Sequence, residues 1–305
     1  MAHRSASDRE RGPPQLAAIG IGVALLFGVA ACAPNASRAP RLALAPPAAA
    51  PAPPLEAGAA PAPPPPSLSP AEAAAELVRL RRAFAQEVPH GIHAGAASDA
   101  AWTARAQAAV AAGGLAIDRA QLLVVVDRDP HVQELRIVMA APGQPWQVVG
   151  GSRVSTGQAG RRDYYITPVG VFLHTDAILD YRAQGTFNEN HIRGLGLKGM
   201  RVWDFGWQWA VKGWRADKEG GDIRLLMHAT DPEYLEQRIG RPASEGCVRV
   251  PAAVNRFMDR HGVLDLDYER AAVDDIRYRA LLLPDRLPTP LAGDALVVID
   301  SSEAS

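Results

Sequence analysis

Cys247 lies in the stretch RPASEGCVRVP, residues 241–251, and is one of only two cysteines in a chain of 305 residues. A thiol attacks as its thiolate, and a free cysteine with a pKa of ~8.5 is mostly protonated at neutral pH. A catalytic cysteine therefore needs a neighbouring base and hydrogen-bond donors for an oxyanion. Gly246, directly before it, would let a substrate approach the backbone closely. The stretch predicts either a reactive thiol or a small buried hydrophobic residue.

His228 is the best-placed candidate base among the eight histidines. It ends the apolar run IRLLMH, which is typical of a strand, so its ring can emerge where the strand meets a loop. The segment between His228 and Cys247 is long enough to return the chain and place the two residues side by side. His174, at the end of the similar run GVFLH, and His191 are alternative bases. A histidine at a strand end is also often structural, so spacing alone does not decide its role.

Two polar neighbours of Cys247 are candidate substrate-binding residues. Arg249 lies two positions beyond the thiol, so on an extended chain its side chain points to the same side. It either holds a substrate carboxylate or supports the loop through an ion pair. Ser244 either orients the cysteine loop and bonds substrate, or stabilises a turn with its hydroxyl.

Four tryptophans fall within the segment WDFGWQWAVKGW. Trp203, Trp207 and Trp209 share an alternating parity, which predicts that they lie on one face of a strand or hairpin. They form either a flap that stacks on substrate over a groove or a separate hydrophobic cluster. An upstream loop is a further candidate for shaping a groove, through Arg161, Arg162, Tyr164 and Tyr165.

Residues 69–114 are predicted to form a short helical segment. Ser69 is a good N-cap, and Glu72 completes a capping box at the start of the first helix. A second helix is predicted over residues 100–112, with Asp99 at its start.

Residues 115–301 change to short apolar runs that are broken by Gly- and Pro-rich turns, which predicts strands. One more helix is predicted in PAAVNRFMDRHG. The sequence therefore predicts a mainly β fold of the α+β class, mostly antiparallel, with peripheral helices.

Residues 1–31 are typical of an export signal, because a basic start precedes an apolar run shorter than the ~20 residues that a membrane-spanning helix needs. The run ends in VAAC, which resembles the lipobox of bacterial lipoproteins and implies lipidation of Cys32. Cleavage at an A-x-A site, which would remove Cys32, and an uncleaved anchor are the alternatives. Ala33 in place of Asp implies the outer membrane. Residues 32–68, in which Pro and Ala predominate, predict a disordered linker.

The charge balance excludes some partners. The formal net charge is -1, from 32 basic and 33 acidic residues, and no basic block favours binding to nucleic acid. Two cysteines, one of them predicted to be lipidated, make no zinc cluster, and we expect neither a metal nor a cofactor. The sequence leaves the oligomeric state open.

The pairing of MHAT with SEGCVRV resembles the signature of the L,D-transpeptidase catalytic domain, the YkuD-type family. VSTGQAGRRDYYITPVGVF is similar to the family's STG and TP-x-G-x-F segments, with an insertion between them, and TPLAGDALVVID is similar to its final strand. The resemblance implies a β-sandwich-like catalytic domain that acts on peptidoglycan stem peptides by acyl transfer. Cys247 would be the nucleophile, His228 the base, and backbone N–H groups near Gly246 and Cys247 would hold the oxyanion.

Two positions depart from the family's pattern. Glu245 stands where the family usually has His before Gly-Cys, and Ala229 stands where it usually has Gly. The carboxylate of Glu245 would bind substrate or orient His228, but like-charge repulsion would also raise the thiol pKa. The alternatives to a transpeptidase are an L,D-carboxypeptidase or endopeptidase on the same scaffold and a catalytically silent wall-binding lipoprotein. In each case we expect a periplasmic protein that is held to the membrane by its lipidated N-terminus.

Overall fold

The computed structural model describes residues 67–93 and 95–304. The predicted signal peptide, the lipidation site at Cys32 and the predicted linker up to residue 66 lie outside these residues. Within the described ranges, no helix is both long enough and apolar enough to span a bilayer.

Helix α1, Pro70–Glu87, starts at the predicted capping box. The Ser69 hydroxyl accepts a hydrogen bond from the Glu72 N–H at 3.3 Å, and the Ser69 N–H donates to the Glu72 carboxylate at 2.9 Å. Leu80 and Phe84, on the apolar face of the helix, are fully buried. The helix therefore packs into the core of the domain.

Helix α2, Ala96–Ala112, begins four residues earlier than predicted. Gly95 precedes it as the N-cap, without a side-chain hydrogen bond, and Asp99 lies inside the first turn. A carboxylate in that turn interacts favourably with the positive end of the helix dipole. Asp99 thus marks the start of the helix from within it.

The first sheet contains five strands in the order β3-β2-β1-β9-β4. Strands β1 and β9 are parallel, and the other neighbours are antiparallel. The strands are β1 Gln121–Asp127, β2 Glu134–Ala140, β3 Gln147–Arg153, β4 Gly170–Leu173 and β9 Ala295–Ile299.

The second sheet contains four strands in the order β5-β6-β7-β8. Its last two strands run parallel, and its other two pairs are antiparallel. Both sheets are therefore mostly antiparallel, as predicted. The strands are β5 Tyr181–Arg182, β6 Arg201–Val211, β7 Gly220–Ala229 and β8 Val248–Val250.

Three helices follow the second sheet: α3 Ala252–His261, α4 Leu266–Ala271 and α5 Ile276–Leu281. Only α3 was predicted, and Gly262 ends it in the left-handed conformation with φ +59°. The α+β fold class is confirmed, with more helix than a mainly β domain was expected to contain.

One hydrophobic core joins the two sheets. Val124 and Ile137 enter it from the first sheet, and Met227 and Val248 enter it from the second. Phe84 of α1 completes this core. Helix α2 instead packs on the other side of the first sheet, so that the central strands are buried on both faces.

Candidate active site

The pairing of β7 with β8 places the candidate nucleophile and base on one face of the second sheet. Met227 lies opposite Val248, and His228 lies opposite Arg249. Met227 and Val248 both point into the core. Because side chains alternate along a strand, Arg249 lies on the other face, together with His228. Cys247 directly precedes β8, and the same alternation places it on that face as a diagonal neighbour of His228.

The Cys247 sulfur is partly exposed, and it lies 3.9 Å from the carbonyl oxygen of Arg224. Burial by the surrounding protein raises the pKa of the Cys247 thiol, and the charges of Glu245 and Asp204 add to this effect. A backbone hydrogen bond from Leu226 and the cationic side chain of Arg249 act in the opposite direction. The thiol is therefore protonated at neutral pH.

The His228 imidazole is buried, and its Nδ1 lies 2.6 Å from the carbonyl oxygen of Ala229. A carbonyl oxygen only accepts, so Nδ1 carries the proton and Nε2 is the basic nitrogen. Burial lowers the pKa of His228 to about 4, and the charge of Arg249 contributes. Across the described residues, no hydrogen bond joins this ring to the Cys247 sulfur. The resting site therefore holds two neutral groups.

Ser244 organises the loop that carries the thiol. Its buried hydroxyl donates to the Cys247 carbonyl oxygen at 2.6 Å and accepts from the Gly246 N–H at 3.1 Å. Gly246 has φ +131°, and a Cβ there would meet the Ile223 side chain at 2.7 Å. Any other residue at this position would strain the loop.

Thr167, which the sequence did not predict to be a site residue, also stabilises the loop that carries the thiol. Its hydroxyl donates to the Gly246 carbonyl oxygen at 2.8 Å and accepts from the Gly157 N–H at 2.9 Å. The threonine of the segment ITPVGVF was the available signal. Two distant parts of the sequence are thereby tied to the residue before the thiol.

The loop leaves one backbone donor at the thiol. The Gly246 N–H is taken by Ser244, whereas the Cys247 N–H has no protein acceptor in the part of the chain that the structure describes. Of the two amides expected to hold an oxyanion, the structure thus leaves that of Cys247 available.

Arg249 is only partly occupied by its loop contact. Its Nη1 donates to the Ala243 carbonyl oxygen at 3.1 Å. Its buried Nε finds no partner among residues 67–93 and 95–304. Because Nε is buried, only the Nη groups of this partly buried side chain can donate to an anionic group on the face that it shares with Cys247.

Residues 117–265 match the model of the family described as YkuD, L,D-transpeptidase catalytic domain. This part of the chain is a YkuD domain. The match includes His228, Cys247 and the strands that hold them. A search of the curated proteins finds no match to the chain.

Glu245 of the YkuD domain is exposed, and its backbone carbonyl accepts from the Tyr165 N–H at 3.3 Å. Within the described ranges, no hydrogen bond joins its carboxylate to His228, whose Nδ1 bonds to the backbone instead. The geometry therefore does not provide the expected contact that would orient the imidazole. Its charge does raise the pKa of Cys247, as like-charge repulsion predicts.

The alternative bases lie elsewhere in the YkuD domain. Both ring nitrogens of the fully buried His174 are engaged, one by Asp180 at 2.9 Å and the other by the Leu264 carbonyl oxygen at 2.7 Å. His191 is an exposed loop residue with φ +54°. Neither histidine forms a hydrogen bond with Cys247 in the described structure.

Asp204 and Arg224 are site residues that sequence reasoning missed. The Arg224 carbonyl oxygen lies 3.9 Å from the Cys247 sulfur. The Nε of Arg224 donates to the two carboxylate oxygens of Asp204 at 2.8 Å and 2.9 Å. The signal was present in the strand itself, because residues 224, 226 and 228 alternate onto one face. An ion pair therefore flanks the thiol.

The tryptophans do not share one face as predicted. Strand β6 has an irregularity between Asp204 and Trp207, where Gly206 adopts φ +76°. An extra residue in one strand reverses the alternation. Trp203 is therefore buried in the core, whereas Trp207 and Trp209 are exposed on the opposite face.

We predict that Glu245→Gln lowers the pKa of Cys247, because the substitution removes a negative charge that disfavours the thiolate. The pH dependence of iodoacetamide alkylation, read by intact mass, should shift to lower pH. Glu233→Gln is the matched control, since Glu233 is an exposed carboxylate that pairs with Arg193. An unchanged alkylation profile in Glu245→Gln would show that this carboxylate does not act on the thiol.

Proposed function

We propose that the chain is an L,D-transpeptidase that transfers acyl groups between peptidoglycan stem peptides through a thioester at Cys247. The observation that carries the proposal is the sheet face shared by Cys247 and His228 within a YkuD domain. The partly exposed sulfur is open to a substrate carbonyl, and a neutral imidazole on the same face is available as a base.

In the acylation step, the Cys247 sulfur attacks the carbonyl carbon of the third stem residue. The thiol proton moves to Nε2 of His228, a C–S bond forms, and the C–N bond to the terminal D-alanine breaks. His228 then returns the proton to the departing amine. Both groups start neutral, because the pKa of His228 is about 4 and that of the thiol is raised. Proton transfer therefore accompanies the attack.

In the second step, an acceptor amine attacks the thioester carbonyl. A diaminopimelate amine would give a 3→3 crosslink. The proton of the attacking amine passes through His228 to the departing thiolate, which restores the starting state. The free Cys247 N–H would stabilise the oxyanion in both steps. The Nη groups of the partly buried Arg249 would hold a substrate carboxylate.

Two other activities fit parts of the same geometry. Water that reaches the partly exposed Cys247 would hydrolyse the thioester and make the protein an L,D-carboxypeptidase or endopeptidase. A silent wall-binding protein is the second alternative, and the observation behind it is that no hydrogen bond joins Cys247 to His228 among the described residues.

We predict that a carbapenem forms a covalent adduct with the protein, detected by intact mass, and that Cys247→Ala abolishes it. His228→Gln should slow acylation about 10²–10⁴-fold, because the thiol then lacks its general base. His191→Gln, at an exposed histidine outside the site, should acylate at the normal rate. Failure of the unaltered protein to form any adduct would favour the silent alternative.

Transfer and hydrolysis differ in the products they give from purified muropeptides. We predict crosslinked dimers, read by mass spectrometry, because an amine acceptor competes with water for the thioester. The Cys247→Ala protein is the control and should give neither product. Trimmed monomers without dimers would assign the carboxypeptidase activity instead.

We further propose that the protein works in the periplasm, anchored to the outer membrane by lipidated Cys32. A Pro- and Ala-rich segment of residues 32–68 would give the domain reach toward the wall. Cys32→Ala should move the protein from the membrane fraction to the soluble fraction of lysed cells. Retention in the membrane fraction would indicate another anchor.

A further inference from the structure

The β6–β7 hairpin carries a front face on which two indoles stand in solvent. Trp207 and Trp209 expose 66% and 60% of their surface. Single exposed apolar residues are ordinary, but two large aromatic side chains two positions apart on one strand form a patch. We call this patch the hairpin platform, and its charged members are Asp222 and Arg224.

The hairpin platform lies on the same face as the candidate nucleophile. Trp207 lies opposite Arg224, and Trp209 lies opposite Asp222. The Arg224 carbonyl oxygen lies 3.9 Å from the Cys247 sulfur. The side chains on this face therefore form a row, which begins with Arg224 beside the thiol and continues through Trp207 and Trp209. The two indoles lie ~7 Å apart along the strand.

The indoles are held in place rather than free. The Trp209 ring lies across Gly220, where an added Cβ would come within 2.1 Å of it. The guanidinium of Arg224 lies 5.8 Å from the Trp207 ring centroid and is fixed by its ion pair with Asp204. A surface that is already ordered loses little conformational entropy when a ligand binds.

The back of the hairpin is packed against the domain, which fixes the orientation of its front. Phe205 and Ala210 are almost fully buried. The Ile223 side chain fills the space that a Cβ at Gly246, in the loop of the thiol, would occupy. The hairpin platform and the loop of Cys247 are thus parts of one packed unit.

We propose that the hairpin platform binds the glycan strand that carries the stem peptide, a polymer of N-acetylated amino sugars; this inference rests on the proposed function. The apolar C–H face of a pyranose ring complements the electron-rich face of an indole. Asp222 and Arg224 supply an acceptor and donors for hydroxyl and acetamido groups at the edges of the rings. Binding there would direct the attached peptide to Cys247.

The same chemistry disfavours two other occupants. Stem peptides consist of small and charged residues, which offer no ring or large apolar side chain to two indoles. A bilayer would have to accept Asp222 and the Asp204–Arg224 ion pair along with the indoles, and charged groups resist that transfer. A neutral, hydroxyl-rich polymer can stack its rings on the indoles and form hydrogen bonds with the charged side chains of the hairpin platform.

The test uses the full-length chain with Cys247→Ala, so that binding is measured without chemistry. We expect a tetramer of N-acetylglucosamine, and glycan strands freed of peptide by an amidase, to bind in calorimetry and to change tryptophan fluorescence. Trp207→Ala and Trp209→Ala should each weaken binding about tenfold, and Trp209→Phe should retain part of it. Thermal melting verifies that each variant is folded. Tyr234→Ala, at an exposed aromatic residue beyond the other end of β7, should bind normally.

A kinetic measurement connects the hairpin platform to the reaction. The unaltered enzyme should prefer a disaccharide-linked tetrapeptide to the free tetrapeptide in kcat/KM, and the double variant Trp207→Ala/Trp209→Ala should lose this preference. Carbapenem acylation without glycan binding would overturn the proposal that the hairpin platform binds glycan and would leave the transpeptidase proposal intact. Glycan binding that is equally strong in Trp207→Ala and Trp209→Ala would also overturn it. So would binding to phosphatidylethanolamine–phosphatidylglycerol vesicles in place of glycan, provided that the double variant Trp207→Ala/Trp209→Ala loses it, since the N-terminal anchor is unchanged in that variant.

Discussion

The parallel pairing of β8 with β7 is the constraint on which the site depends. It spans only three residue pairs, yet Val248 and Val250 are buried in the core and fix its register. Because side chains alternate along a strand, a slip of one residue would exchange the faces of β8 and turn the Cys247 side chain toward the core. Ser244 and Gly246 then set the loop through which the chain enters β8. The chemistry therefore rests on packing against the opposite side of the sheet.

A buried ionic network stabilises strand β6 of this sheet. Arg201, at the start of β6, bonds through its guanidinium to Asp180 at 2.8 Å and to Asp265 at 3.1 Å. Asp180 also binds His174 at 2.9 Å and accepts the Asp204 N–H at 2.9 Å. Loss of one member would leave an uncompensated charge in the interior, which costs several kcal/mol. The network thereby supports Asp204, the carboxylate beside the thiol.

Local patterns predicted the strand that carries His228 and the capping box of α1, because each depends on neighbours in sequence. They placed the start of α2 four residues too late. They did not predict the bulge in β6, since alternation alone placed Trp203 and Trp207 on one face. Gly206 was the only signal for that reversal. The loop contact of Thr167 and the Asp204–Arg224 pair also escaped prediction, because long-range pairing creates them.

We propose that Cys247 and His228, two neutral groups on one sheet face, form the reactive pair once substrate arrives. A crystal structure of the carbapenem thioester at Cys247 tests this proposal most directly. We predict that the acyl oxygen accepts a hydrogen bond from the Cys247 N–H at about 2.7–3.1 Å. We also expect Nε2 of His228 to lie within hydrogen-bond reach of the acyl group, directly or through one water. An acyl oxygen held elsewhere, with the imidazole still turned away from the thioester, would contradict it.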